Sequence, residues 1–282
     1  RAADGTVTYE NVSVASGYAF DGDMGYADNQ FYLCYCQSSP TDPECAGVTT
    51  APMLSCAPPL NWSPGTDTHP FRLGGNSGTT TCADVDGDGD LDLLTSEIKH
   101  WWAGSGSDGA EWLLNDGTTP LHFTRPGRDA MGIVVPHDTP GGWDEGIMTN
   151  AALDFDADGL VDFYLGASDY PGNHGLLYHQ DVPGHFETVP IADGIDHHRS
   201  HGIALADFDH DGDVDVVVGH STARCTVTGF DDCYPTQQVR LFRNAMPAGN
   251  FVQVHLVGGA GTNAMAIGAH VSVVAGTVHA MQ

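Results

Sequence analysis

Three stretches decide how this chain folds: ADVDGDGDLDLL at residues 83–94, LDFDADGLVDFY at 153–164 and ADFDHDGDVDVV at 206–217. Each contains the pattern DxDxDGxxD, and the first aspartates stand 70 and 53 residues apart. A recurring segment at this distance is the mark of stacked supersecondary units. Each loop runs into a short apolar or alternating stretch, at 91–95, 161–166 and 214–219, bounded by glycine or polar residues, which predicts a strand. Small and β-branched residues precede each loop, as TTTCAD, TNAALD and GIALAD. The repeating unit therefore reads strand, aspartate loop, strand.

A second similarity follows in each unit: WLLNDGTTPLHF from Trp112, LLYHQDVPGHF from Leu176 and VRLFRNAMPAGNF from Val239. Apolar residues lead into a turn of Asn, Asp, Pro or Gly, and a phenylalanine restarts the chain, the pattern of a β-hairpin. No segment sustains a 3.6-residue apolar period with caps, so helix content is expected to be low and the fold all-β.

In DxDxDGxxD the side chains at positions 1, 3, 5 and 9 and the carbonyl at position 7 converge on one centre, and glycine at position 6 permits the tight turn. The first loop offers Asp84, Asp86, Asp88, the carbonyl of Asp90, and Asp92; the second offers Asp154, Asp156, Asp158, the carbonyl of Leu160, and Asp162. The third offers Asp207, Asp209, Asp211, the carbonyl of Asp213, and Asp215. Leucine at position 7 of the second loop shows that only a carbonyl is needed there. Oxygen-only ligands select a hard cation, and calcium accepts six to eight oxygens in flexible geometry where magnesium demands an octahedron. About three calcium sites are expected. An EF-hand needs glutamate at position 12, where this chain has Thr95, Leu165 and Val218, so that architecture is excluded.

The charge of the chain supports the same reading. Acidic residues outnumber basic ones 37 to 9 in a chain of 282, and only Lys99 is a lysine, which argues against nucleic acid and anionic membranes as partners. Fourteen of the 37 acidic residues fall within the three loops. Two carboxylates about 4 Å apart repel by roughly 4 kcal/mol at an effective dielectric near 20, so such a loop calls for a counter-ion. No stretch approaches the length of apolar chain needed for membrane insertion. Seven cysteines, Cys34, Cys36, Cys45, Cys56 and Cys82 together and Cys225 with Cys233, point to an oxidising, extracellular or cell-surface setting. Cys225 and Cys233 are a candidate disulfide; the pairing of the other five is open, and an odd count leaves one thiol free or shared with another chain. Residues 34–70, rich in Pro, Ser, Thr, Cys and Gly, read as an insertion held by disulfides.

The loops and their strand contexts resemble FG-GAP or VCBS repeats, the blades of integrin-like calcium-binding β-propellers, over approximately residues 79–245. The resemblance implies four-stranded blades, radially arranged, with calcium loops joining the first two strands. It places a propeller of about four countable repeats at 1–245. TYENVSVASGY from Thr8 resembles a blade-closing strand. NFVQVHLVGGAGTNAMAIGAHVSVVAG from Asn250 resembles the ASPIC/UnbV module that follows such repeats, which places the start of that module at 246–282, expected to run past Gln282.

Other constellations are weaker. VVVGHSTA from Val216 resembles a nucleophile elbow at Ser221, but ARCTVTGFDDC after it does not read as the required helix. HHRSH places His197, His198 and His201 close in sequence, without the spacing of a defined metal site. Trp101, Trp102, Trp112 and Trp143 suit either a sugar-stacking surface or packing between blades. No catalytic residue is assigned. The expected function is a secreted, calcium-stabilised β-repeat scaffold for adhesion, surface display or self-assembly, with a homo-oligomer or filament, carbohydrate, or another extracellular protein as partner. The alternative is a propeller that binds or cleaves polysaccharide.

Overall fold

The computed structural model describes residues 8–19, 24–58, 62–68, 76–137, 143–170, 172–225, 233–236, 238–247, 251–259, 261, 263–266, 269–275 and 278–281. Strands recur in one order around each aspartate loop. In the first unit β1 (Asn76–Ala83) and β2 (Asp92–His100) flank the loop, and β3 (Trp112–Asn115) and β4 (Phe123–Thr124) make the following hairpin. The second unit repeats this with β5 (Asp144–Leu153), β6 (Asp162–Ala167), β7 (Leu176–Val182) and β8 (His185–Thr188). The third has β9 (Ser200–Ala206), β10 (Asp215–His220) and β11 (Arg240–Phe242). A separate hairpin joins β12 (Ser272–Ala275) to β13 (Val278–Met281). The fold is all-β and antiparallel, as the sequence led us to expect. All three loops close at the same register, Ala83 opposite Asp92, Leu153 opposite Asp162 and Ala206 opposite Asp215.

The units are not isolated blades. The far end of β2 pairs with β5 from Ile98↔Gly146 to His100↔Asp144, so the first two units share one curled sheet, while β9, β10 and β11 form another. The reason is strand length. The sequence suggested a strand ending near Thr95, but the polar run Ser96–His100 continues β2 and reaches its neighbour. Three loop-bearing units are present among the described residues, against about four expected. The third lacks its fourth strand there, since residues 251–259 have no regular structure.

Two apolar seams hold the units together. Leu94, Trp112, Phe163, Leu165, Tyr178 and Phe186 fill the first, with Trp112 set edge-on to Phe163 at 5.9 Å. Tyr164, Leu177, Val216 and Val218 fill the second, with Phe242 packed against them. Neighbouring residues of β6 thus face opposite seams, and every residue of that strand is buried, which explains why 161–166 reads as a continuous apolar run. Deleting a side chain such as Trp112 from such a seam costs about 3–5 kcal/mol.

The cysteine-rich segment carries a helix that its composition did not announce. It contains helix α1 (Gln30–Ser38), capped by Asn29, whose side chain accepts from the amides of Phe31 and Tyr32 at 2.9 and 3.2 Å. Disulfides Cys34–Cys56 and Cys36–Cys45 staple it to the following chain. Nine residues are too few to display a helical period, and staples replace the apolar stripe that would have revealed it. The Cys225–Cys233 pairing forms as expected, and Cys82 is the free, exposed thiol. Residues 13–19 make turns rather than the blade-closing strand suggested from Thr8.

Candidate metal centres

Each loop is built around its last aspartate. Asp92, Asp162 and Asp215 are all but sealed from solvent, at 0, 0 and 1 % exposure. One carboxylate oxygen accepts the amide at loop position 2, from Val85 at 2.8 Å, Phe155 at 3.0 Å and Phe208 at 3.0 Å. The other accepts the amide of Asn115, Gln180 or Asn244, each at 2.8 Å, at the end of the unit's third strand. Position 9 thus ties the loop to the third-strand segment in all three units.

Position 1 closes the turn. Asp84, Asp154 and Asp207 accept the amides of Gly89, Gly159 and Gly212 at 3.2, 3.0 and 3.2 Å. Those glycines have φ of 98°, 90° and 100°, a region closed to other residues without strain. Position 4 is also left-handed, at Gly87, Ala157 and His210, which the motif alone did not reveal. Position 5, Asp88, Asp158 and Asp211, accepts the amide of position 7, from Asp90, Leu160 and Asp213, at 2.9, 2.8 and 3.1 Å. That contact leaves the position-7 side chain without a part in the turn, consistent with leucine in the second loop.

The structure gathers positions 1, 3 and 9 most closely. Asp84, Asp86 and Asp92, then Asp154, Asp156 and Asp162, then Asp207, Asp209 and Asp215 each bring ligand oxygens within 4.8 Å of one another. Two of these oxygens, Asp84 Oδ1 and Asp154 Oδ1, are buried and make no hydrogen bond. A buried carboxylate oxygen without a donor costs more than the typical hydrogen bond stabilises. Burial pushes Asp92 up to about 6 and Asp162 up to about 7, and raises Asp154 and Asp86 as well, with neighbouring carboxylates adding to the effect. An all-oxygen donor set with orphaned buried atoms and carboxylates held above their ordinary range fits a hard cation.

The loops differ in two respects. At the register position just before Asn115, Gln180 and Asn244 stand Leu114, His179 and Arg243. His179 Nε2 lies 3.1 Å from Asp156 Oδ2, and Arg243 Nη1 lies 3.3 Å from Asp209 Oδ2. In the third loop the position-5 amide turns to Asp207 Oδ1 at 3.1 Å, where the first two loops send it to position 3.

With this geometry established, comparison with known families is informative. Residues 154–218 match the model of the FG-GAP-like repeat family. No curated protein matches the chain. The matched FG-GAP-like segment begins at position 1 of the second loop and ends in β10, so it contains two of the three loops. Acidic clusters able to hold metal ions sit in both. The FG-GAP-like match and the three disulfides fit an extracellular β-repeat protein; no helix among the described residues is long and apolar enough to cross a membrane.

The amides were missed in the sequence. Gln180 Nε2 donates to Val85 O at 2.9 Å, in the preceding unit's loop, and Asn244 Nδ2 donates to Phe155 O at 2.6 Å, again one unit back. Asn115 donates to its own Leu91 O at 3.3 Å. A signal was there: an Asn or Gln recurs just before the turn of each hairpin segment. The tryptophans do not share a surface, since Trp112 is in the core while Trp102 stacks on His100 and Trp143 on His137, at 4.7 and 3.7 Å. After Ser221 the chain enters a turn, not a helix. His197, His198 and His201 are not brought together: His197 is buried and His201 exposed.

Proposed function

We propose that the three loops bind calcium, and that the chain is a secreted, non-catalytic scaffold whose units are locked by that metal for adhesion, surface display or self-assembly. The observation that carries this reading is the threefold repetition of a buried position-9 aspartate, held by two amides and facing the carboxylates of positions 1 and 3. The ligands lie within single loops at the seams of the core, so the cation acts on stability. At ten times the dissociation constant each site adds about 1.4 kcal/mol. A chelator should lower the melting temperature substantially, and Asp154→Ala should remove a third of the effect or more. An identical melting curve with and without chelator overturns the reading.

By its resemblance to the ASPIC/UnbV module, 246–282 begins a following module, and 1–245 forms a calcium-loop propeller. For self-association the supporting features are the exposed Cys82 thiol and strand β11, at the edge of its sheet among the described residues, in which Leu241 is 57 % exposed. Glycan-array and acidic-polysaccharide lyase assays separate the scaffold from the polysaccharide-directed alternative: specific binding or cleavage favours the latter.

A further inference from the structure

Away from the aspartate loops, the chain leading out of β6 and the chain leading into β9 touch as a short antiparallel bridge. The Arg199 amide donates to Asn173 O at 3.0 Å and the Gly175 amide to His197 O at 3.3 Å, which sets His174 directly opposite His198. Directly opposed residues project to one face, and the two-residue side-chain period puts Asp196 on that face with His198. The imidazole centroids lie 4.1 Å apart, tilted by 50°. His174 Nδ1 is 3.9 Å from Asp196 Oδ1, and the ligand atoms of all three residues lie within 4.8 Å of one another.

A second observation points to a ligand. His198 Nδ1 is buried and makes no hydrogen bond. Packing of one ring on the other leaves that nitrogen unsatisfied. Asp196, by contrast, is exposed, so the group opens to solvent on one side. The guanidinium of Arg199, the residue after His198, is engaged elsewhere: it donates to Asp169 O and Ala223 O at 3.0 and 2.9 Å.

We propose that His174, Asp196 and His198 form a binding site for a borderline divalent transition metal of the zinc class. Two imidazoles and one carboxylate match that chemistry and not the oxygen-only preference of calcium. Three protein ligands leave a coordination position to water. The metal bridges the second and third units, because His174 follows β6 and the other two ligands precede β9. It therefore clips the seam from the side remote in sequence from the loops, independently of calcium.

The test uses untagged protein carrying Cys82→Ser, which removes the free thiol as a competing ligand, in excess calcium, so that zinc reports only nitrogen-containing sites. Titration calorimetry with zinc chloride and metal analysis after gel filtration should show one equivalent bound, with a rise in melting temperature. Cobalt(II) chloride should give visible d–d bands displaced by zinc. His174→Gln, His198→Ala and Asp196→Ala should each weaken binding at least tenfold, while His201→Ala, an exposed histidine of the same segment, leaves it unchanged. If His198→Ala does not fold, judged by circular dichroism, the more exposed Asp196→Ala and His174→Gln carry the test. The proposal is overturned by no zinc uptake in excess calcium, or by uptake that persists in Asp196→Ala and His174→Gln.

Discussion

The buried aspartates make the pH dependence of the metal-free protein run opposite to that of most carboxylate-rich folds. Burial raises Asp92 to about 6 and Asp162 to about 7, from the ordinary carboxylate value of 3.8. Between these limits the folded state binds protons that the unfolded state has released, so stability falls as pH rises through the window. At 1.36 kcal/mol per unit, the two groups together remove about 4 kcal/mol between about pH 5 and about pH 8. Asp42, Asp116 and Asp181 are lowered by hydrogen bonds and act in the other direction, but they are exposed surface groups whose effect is confined to strong acid. The assay is urea denaturation of protein stripped of metal and dialysed, at several pH values, with and without saturating calcium. The metal-free protein should lose stability toward pH 8, whereas the calcium-loaded protein, whose loop carboxylates are ionised in the folded and unfolded states alike, should stay nearly flat across that window. Calcium affinity should fall roughly tenfold per pH unit below about 7, as protons compete for Asp162. Metal-free stability that stays flat or rises between pH 5 and 8 refutes the reasoning.

Three substitutions probe the rest. Gln180 is 1 % exposed and its amide serves two carbonyls; Gln180→Ala should cost about 2–4 kcal/mol in urea denaturation and weaken calcium binding at the first loop as well as the second. Ala157 holds φ at 59° where the first loop has glycine, so Ala157→Gly should leave stability unchanged or raise it by up to about 1 kcal/mol in thermal melts. Arg243→Gln removes a cation 3.3 Å from Asp209 and should raise the third loop's calcium affinity roughly threefold in low salt, less in high salt, by titration calorimetry.

The loops and their flanking strands were legible because both signals are local. Alternating carboxylates with one glycine specify a turn, and β-branched runs on either side specify its arms. The hairpins from Trp112 and Leu176 were legible for the same reason, whereas Phe251, which should restart the third hairpin, is 61 % exposed and begins a described stretch, 251–259, without regular structure. What escaped notice depends on contacts distant in sequence. The pairing of β2 with β5 joins Ile98 to Gly146 through a run containing Glu97 and Lys99, which looks like a loop until its partner is known. Gln180 reaches Val85 across 95 residues, and His174 meets Asp196 and His198 only because two connections cross. The sequence search for a histidine site stayed within HHRSH, where strand alternation separates neighbours.

The amide ties change how the three loops are to be counted. Treated separately, three sites add their stabilisation independently. Yet Gln180 gives its backbone N–H to Asp162 and its side chain to Val85 O, so one residue belongs to the second loop and the first. Asn244 does the same for Asp215 and Phe155 O, joining the third loop to the second. A cation that fixes one loop also fixes the carbonyl on which the next unit's amide rests, and that amide orients the backbone donor to the next position-9 carboxylate. Under the calcium reading, ordering entropy spent at one loop is therefore not spent again in full at its neighbour, which is positive coupling without any shared ligand. The coupling runs along the seams filled by Trp112, Phe163 and Tyr164. Metal occupancy and the packing of unit on unit are thus one equilibrium, and the rigidity expected of an extracellular scaffold follows from that linkage rather than from a larger core.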